Sequence, residues 1–240
     1  MRAILLAAGL GSRLKPITDH VPKCLVPICG IPLLELWLDK LINLGVEEIL
    51  INTHYFAEQV ERFVNQSNYK TKISLVNESK LLGTAGTLIA QKDFWQGHET
   101  IVIHADNFCC SDLHGLVRQH HNRPDDTDIT ALLFETKAPQ SCGIVELDEQ
   151  NVITNFHEKV SNPPGNLASG ALFIFSENVF DKYFSALPAN TSMDLSKDVI
   201  TGLRNKMYGW KTDAPYIDIG TIPAYLEAQY IARQFLREND

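Results

Sequence analysis

The feature that most constrains this chain is the alternation, through its first half, of short apolar runs with helix-length segments. Residues 2–7 form an apolar run that stops at Ala8-Gly9, the pattern of a strand buried on both faces. Ile31 to Leu44 then sets Leu33, Leu34, Trp37, Leu38, Leu41 and Ile42 at helical spacing. Pro32 stands near the start of that segment and Gly45 just past its end, the usual start and stop signals. Residues 46–52 read as a second strand, 56–64 as a helix, 73–76 as a third strand, 87–94 as a helix and 100–104 as another buried strand. Strands spaced by helix-length crossovers favour parallel pairing, so this half predicts a largely parallel sheet covered on both faces.

The second half changes character. Residues 128–135, 143–147, 152–157 and 167–175 read as strands lying close together. Asp148-Glu149-Gln150-Asn151 is a hairpin-turn sequence, and Pro163-Pro164-Gly165 a second turn. Helices are expected at 176–186 and 194–204, with a terminal helix from Ile222 to Leu236. No stretch rich in Gly, Ser or Pro is long enough to divide domains. The expectation is one α/β domain over residues 1–240 with an inserted β-rich region.

Charge decides which partners to consider. Lys plus Arg is 21 and Asp plus Glu is 29, a formal net charge of −8. That argues against a broad nucleic-acid or anionic-membrane surface, which needs a basic face. No apolar run approaches the roughly 18 residues of a membrane span, and the opening Met1-Arg2-Ala3-Ile4-Leu5-Leu6 is too abrupt for a signal peptide. A cytoplasmic protein, monomeric or homodimeric, is expected. The cysteines at 24, 29, 109, 110 and 142 are odd in number and lack CxxC spacing, which fits reduced structural thiols.

The chemistry begins where the first strand ends, in Leu6-Ala7-Ala8-Gly9-Leu10-Gly11-Ser12-Arg13-Leu14. Two glycines after a strand let the backbone curl and aim N–H groups at an anion, and Arg13 adds a forked cation. A plain strand-to-helix turn is the bland alternative. A dinucleotide site would want a third glycine where Leu14 stands and an acid where Asn52-Thr53 ends the second strand. A P-loop would need a Gly-Lys pair, and the chain contains none. Further on, Pro22 holds the chain extended before Lys23, so that lysine can be aimed with little entropy loss.

Together, the stretch LAAGLGSRLKPITDHVPKCLVPICGIPLL resembles the opening signature of the sugar-1-phosphate nucleotidyltransferases. The resemblance continues through Leu81-Leu82-Gly83-Thr84-Ala85-Gly86-Thr87, whose LGTAG form is most similar to the mannose-1-phosphate guanylyltransferase branch. His104-Ala105-Asp106-Asn107, Phe156-His157-Glu158-Lys159 and Tyr216-Ile217-Asp218-Ile219-Gly220-Thr221 match later family elements. What this implies is a Rossmann-like three-layer α/β fold with a mostly parallel mixed central sheet. Residues 1–125 would serve mainly the nucleotide, 126–221 mainly the sugar phosphate and second metal ligand, and 222–240 the terminal helix, without the β-helix domain of some relatives.

The resemblance also assigns residues. Arg13, Lys23 and Asp106 would be catalytic, and Asp106 and Asp218 would hold Mg2+. Leu6, Ala8, Gly9, Gly11, Ser12, Gly83, Thr84 and Gly86 would line the nucleotide; Gly143, Glu158, Lys159, Ser169 and Gly170 would line the sugar phosphate. The implied substrates are an NTP and a sugar 1-phosphate. Guanylyl transfer to a mannose- or heptose-type sugar is the first expectation, on the view that the small residues of LGTAG admit a flat purine to backbone hydrogen bonds. Uridylyl transfer to an amino sugar such as an N-acetylmuramate-type 1-phosphate is the alternative. Two positions depart from the family pattern: Val160 replaces the usual Pro after Glu-Lys, and Ala168 stands where an Asn often contacts the sugar.

Two rivals need different features. A non-catalytic NDP-sugar-binding relative should have lost Lys23 or a metal aspartate, and this chain retains them. A glycosyltransferase would need an Asp-x-Asp after its central strand. Asp106-Asn107-Phe108 is a poor version, and Asp125-Asp126-Thr127-Asp128 reads as a charged surface loop.

Overall fold

A computed structural model describes residues 1–238. In chain order it contains β1 (Arg2–Leu6), β2 (Pro27–Ile28), β3 (Ile31–Pro32), α1 (Leu33–Asn43), β4 (Glu48–Thr53), α2 (Ala57–Gln66), β5 (Ile73–Asn77), α3 (Gly83–Ala90), α4 (Lys92–Trp95) and β6 (Thr100–His104). There follow β7 (Asn107–Cys109), α5 (Leu113–His121), β8 (Ile129–Glu135), β9 (Gly143–Leu147), β10 (Ile153–Glu158), β11 (Leu167–Phe175), β12 (Met207–Lys211), β13 (Tyr216–Asp218) and α6 (Ile222–Glu238). Of the expected terminal helix at 222–240, residues 239 and 240 lie outside the described residues.

Two compact units interleave along the chain. The N-terminal unit comprises Ala3–Lys80, His104–Ser111 and Ala214–Asp240. The central unit comprises Met1–Arg2, Leu81–Ile103 and Asp112–Asp213.

The N-terminal unit follows the sequence closely. β4 and β5 pair in parallel, Ile49 opposite Ile73 through Thr53 opposite Asn77. α1 buries Leu33, Leu34, Trp37, Leu38 and Leu41, the stripe its spacing predicts. It stops at Gly45, whose φ of +83° suits glycine. There the Gly45 N–H donates to Ile42 O and the Val46 N–H to Leu41 O, satisfying carbonyls the helix leaves open. β13 and β7 form an antiparallel ribbon apart from β4 and β5, with Asp218 opposite Asn107.

The central unit is mainly antiparallel. β9 and β10 form the expected hairpin, with Gly143 opposite Glu158. Its turn has Asn151 at φ +61°, and Asp148 Oδ1 accepts from the Gln150 and Val152 amides. β11 pairs antiparallel with β8 and β6. β12, which the sequence pattern did not single out, adds to β8 in parallel from Met207 opposite Ile129. Trp95 anchors the core of this unit, 5.2–5.6 Å by ring centroid from Phe175, Phe180 and Phe184. The helices expected at 176–186 and 194–204 are instead short wide turns at Phe180–Phe184 and Leu195–Val199, the latter followed by a tight turn at Ile200–Gly202. The Rossmann-like α/β class stands, with the parallel β4–β5 pair in one unit and the mainly antiparallel β-rich region in the other.

Candidate functional site

In the N-terminal unit the glycine-rich loop leaves β1 at Leu6. Gly11 takes φ +63°, and a Cβ there would lie 2.9 Å from Thr18 Cγ2. Thr18 Oγ1 donates to Gly11 O at 2.7 Å, and the Leu14 N–H closes a turn onto the same carbonyl at 2.9 Å. Ser12 and Arg13 therefore open a tight turn instead of a helix. Gly9 differs: a Cβ built on it meets nothing within 4 Å. No protein neighbour demands a glycine there.

Ala8 is buried while Leu10 is exposed, so the loop turns outward after β1. Its root is tied by a network the sequence reading did not foresee. The Ala7 N–H donates to Asn52 Oδ1 at 2.7 Å, and Asn52 Nδ2 donates to Glu78 Oε1 at 2.8 Å. Both side chains are buried. Asn52 is where a dinucleotide fold would place its ribose-binding acid; here it holds the loop.

Lys23, Asp106 and Asp218 meet in the same unit. Lys23 opens a short turn after Pro22, whose φ of −65° and ψ of 145° are extended. Asp106 lies in the turn between β6 and β7. That turn is held by Trp37 Nε1 donating to Asn107 O at 2.9 Å and Asn107 Nδ2 donating to His104 O at 3.2 Å. The β7–β13 register then brings Asp218 alongside, with the Ile219 N–H donating to Asp106 O at 3.3 Å. In parallel sheets, ligands sit outside the carboxyl ends of the strands, which is where a metal aspartate is expected. Asp218 instead ends a strand of the antiparallel ribbon, because β13 pairs with β7.

Lys23 Nζ donates to Asp106 Oδ2 at 2.7 Å and to Asp218 Oδ1 at 2.9 Å. Burial alone would lower the Lys23 pKa, but the facing charges of Asp106 and Asp218 outweigh it and hold it above the usual lysine value. Partial burial would raise Asp106, and the charge of Lys23, then that of His104, brings it below the ordinary carboxylate value. Arg13 reaches within 3.7 Å of Asp218 Oδ2 from an exposed position. Gly220 makes room for this pair: a Cβ there would stand 2.9 Å from Asp218 Oδ1 and 3.0 Å from Arg13.

A divalent cation fits this donor set. The two carboxylate oxygens converge on one point, held by the Lys23 nitrogen. Magnesium characteristically takes one or two carboxylates and completes its shell with water and substrate phosphate oxygens. Among the described residues no three His, Cys, Asp or Glu side chains meet as a ready cage.

In the central unit the Leu82–Gly86 segment is not a loop before a helix at 87. It is the first turn of α3. Its open N–H groups are capped from far along the chain: Ala85 and Gly86 donate to Met193 O at 2.9 and 3.3 Å, and Met193 N donates to Leu82 O at 2.9 Å. Thr84 Oγ1 accepts from the Leu195 N–H at 2.6 Å. A Cβ on Gly83 would stand 2.4 Å from Met193 O, and one on Gly86 2.8 Å from Thr191 O. These glycines therefore admit the 191–195 segment. The expected backbone pairing of a purine with this turn loses the Ala85 and Gly86 amides, which Met193 already engages.

The remaining predicted residues gather at the β9–β10–β11 ends of this unit. Gly143 faces Glu158, and a Cβ on it would meet the Phe156 ring at 2.5 Å and Glu158 Oε2 at 2.8 Å. Lys159 follows at φ +48°. Its Nζ lies 3.0 Å from Glu158 Oε1, with Glu158 largely covered and Lys159 exposed. Ser169 and Gly170 fall where the β11–β8 register shifts, and Ala168 lies opposite Ile144 of β9. Ser169 Oγ accepts from the Ala171 N–H at 3.4 Å, so this hydroxyl has a backbone partner.

Asp125 and Asp126 are exposed as expected, but Asp128 is buried. Lys182 Nζ donates to it at 2.7 Å and Tyr183 OH at 2.5 Å. Its carboxylate is thus a structural anchor.

The family model described as nucleotidyl transferase matches residues 2–234 of this chain. A mannose-1-phosphate guanylyltransferase of Mycobacterium tuberculosis is 28% identical over 224 residues, covering 91% of this chain and 61% of the relative. A UTP–glucose-1-phosphate uridylyltransferase of Synechocystis is 29% identical over 245 residues, covering 95% and 62%. The chain spans between half and two thirds of the length of such relatives. A Bacillus anthracis structure described as a candidate glucose-1-phosphate thymidylyltransferase, solved with sucrose, superposes with a TM-score of 0.84 at 24% identity. That superposition covers 97% of this chain and 95% of the other.

Proposed function

The chain belongs to the nucleotidyl transferase family, and from that premise we propose that it moves a nucleoside monophosphate from an NTP to a sugar 1-phosphate. A phosphate oxygen of the sugar 1-phosphate forms a bond to the α-phosphorus, the bond from that phosphorus to the bridging oxygen breaks, and pyrophosphate leaves. The observation that carries the reading is one ammonium, Lys23, clasped between Asp106 and Asp218 in the unit that carries the glycine-rich loop.

A phosphate monoester has its second pKa near 6, so the nucleophile is largely dianionic at neutral pH and needs no general base. What the protein must supply is positioning and screening of negative charge. Gly9, Gly11 and Ser12, with Leu6 and Ala8 behind them, present backbone to the triphosphate. Arg13 takes the departing phosphates, and Lys23 meets the charge that builds on the α-phosphate. Asp106 and Asp218 would hold magnesium, which when bound supplies Lewis-acid polarisation of phosphate oxygens. In the central unit Glu158 takes sugar hydroxyls and Lys159 the sugar phosphate, with Gly143, Ser169 and Gly170 shaping that end. Gly83, Thr84 and Gly86 hold the turn beside the base.

Guanylyl transfer to a mannose- or heptose-type 1-phosphate is our first choice, supported by the LGTAG sequence and the guanylyltransferase relative. The uridylyl reading is favoured by a specific observation: the amides of Ala85 and Gly86 already donate to Met193, which leaves base choice to other backbone, such as that around Ala7 and Ala8. Pyrophosphate release with four NTPs against mannose, heptose, glucose and N-acetylated amino-sugar 1-phosphates separates these. GTP should lead by about tenfold or more in kcat/KM, or about 1.4 kcal/mol. A UTP lead would overturn the guanylyl choice, and silence with every pair would overturn nucleotidyl transfer.

A further inference from the structure

The burial of the charged cluster is inverted. The Lys23 side chain is 7% exposed, whereas Asp106 and Asp218 are 40% and 52% exposed. The cation lies inside and its two anions reach solvent. A second cation arriving from water therefore meets the carboxylates before it meets the lysine.

We propose that Lys23 is a resident counter-cation that competes with a divalent metal for Asp106 and Asp218, so that metal loading frees its ammonium for phosphate. The proposal rests on the reading of these aspartates as metal ligands. Two of the three Lys23 N–H donors are committed, one to each carboxylate. The same protons cannot also meet a phosphate. A dication seated on these carboxylates would stand within a few ångströms of that ammonium, and like charges that close repel strongly. Lysine and metal thus compete for the pair.

The lysine has a route out. Its four-carbon stem is flexible, and the stem's base is set against the glycine-rich loop, where a Cβ on Gly11 would lie 3.3 Å from Lys23 Cβ. An ammonium released from the aspartates stays tethered beside the loop proposed to hold the triphosphate. Such competition also has a thermodynamic signature. Apparent metal affinity is the intrinsic affinity scaled down to the fraction of molecules in which the lysine has left the pair.

The test is Mn2+ binding without nucleotide, read from the electron paramagnetic resonance signal of the free ion. Lys23→Met should bind about tenfold or more tightly than the unaltered protein. Arg13→Met removes a nearby charge without vacating the position between the aspartates, and should gain much less. Equal affinity of Lys23→Met and the unaltered protein, or an equal gain in Arg13→Met, overturns the exchange and leaves the metal assignment standing. No Mn2+ binding by any of the three overturns both. A readout on the unaltered chain covers the case in which Lys23→Met fails to fold. The Lys23 ammonium resonance in a nitrogen-15 spectrum should move, and its protons exchange faster with water, as Mg2+ saturates the pair. An unmoved resonance at saturation overturns the exchange.

Discussion

The charged cluster of the N-terminal unit and the glycine-rich turn of the central unit are built on opposite principles. Lys23, Asp106 and Asp218 are held chiefly by one another, through two charge-assisted hydrogen bonds at 2.7 and 2.9 Å. Gly83, Thr84 and Gly86 are held by neutral backbone and hydroxyl contacts to residues 191–195. Altering the first should change chemistry and leave the fold standing. Altering the second should change packing first, and activity through it.

The sharpest test of that contrast is Asp106→Asn or Asp218→Asn. Each keeps the shape and removes a charge, so kcat should fall by about a thousandfold while the far-ultraviolet circular dichroism stays unchanged. Full turnover of either variant at limiting magnesium would remove the metal assignment. Lys23→Ala comes next. If Lys23 meets charge that peaks in the transition state, kcat should drop by about a hundredfold with little change in either KM. An effect confined to KM would make it a ground-state anchor.

Gly83→Ala probes the other side of the comparison. The residue sits at φ +72° and its new Cβ would press on the Met193 carbonyl, so denaturant unfolding should show a loss of about 1–3 kcal/mol. A stable Gly83→Ala variant with altered base preference would break the contrast, since the glycine would then serve the ligand.

The last test concerns the scaffold of the central unit alone and leaves the site untouched. His120, buried on α5 with Nδ1 2.8 Å from Thr130 Oγ1, has its pKa lowered to about 3 by burial, then by the charges of Arg123 and His121. The unfolded chain takes up this proton near pH 6.5 and the folded chain only near 3. The folded state therefore loses stability as pH falls through that window, by up to about 1.4 kcal/mol per unit. His120→Gln should flatten that slope in urea titrations between pH 6.5 and 4; an unchanged slope would show that His120 is not the group responsible.

Much of the candidate site is legible in the sequence because its parts are local. Gly11 at the turn after β1, Lys23 after an extending proline and Glu158-Lys159 at a strand end can each be read within a few residues. Asn52 and Glu78 were missed because their role depends on β4 and the end of β5 lying side by side, which no short window contains. Met193 carried no signal at all: its contribution is a carbonyl and an N–H, which every non-proline residue possesses. The wide turn at Leu195–Val199 replaced a longer expected helix for a related reason: Asp194 caps it through the Lys197 N–H, while its neighbours Met193 and Leu195 are engaged by α3.

By itself the sequence determined the α/β class, the hairpin at 148–151, the end of α1 at Gly45 and the identity of the charged residues. Each follows from periodicity, turn chemistry or side-chain type, which act over a few positions. Tertiary structure decided which charges share a proton donor and what the LGTAG glycines make room for. The β7–β13 register brings Asp218 beside a residue more than a hundred positions earlier. The carbonyl of Met193 fills space that the sequence left open for a ligand. Such pairings depend on chain segments meeting in three dimensions, and backbone hydrogen bonds bring them together without any mark in residue type.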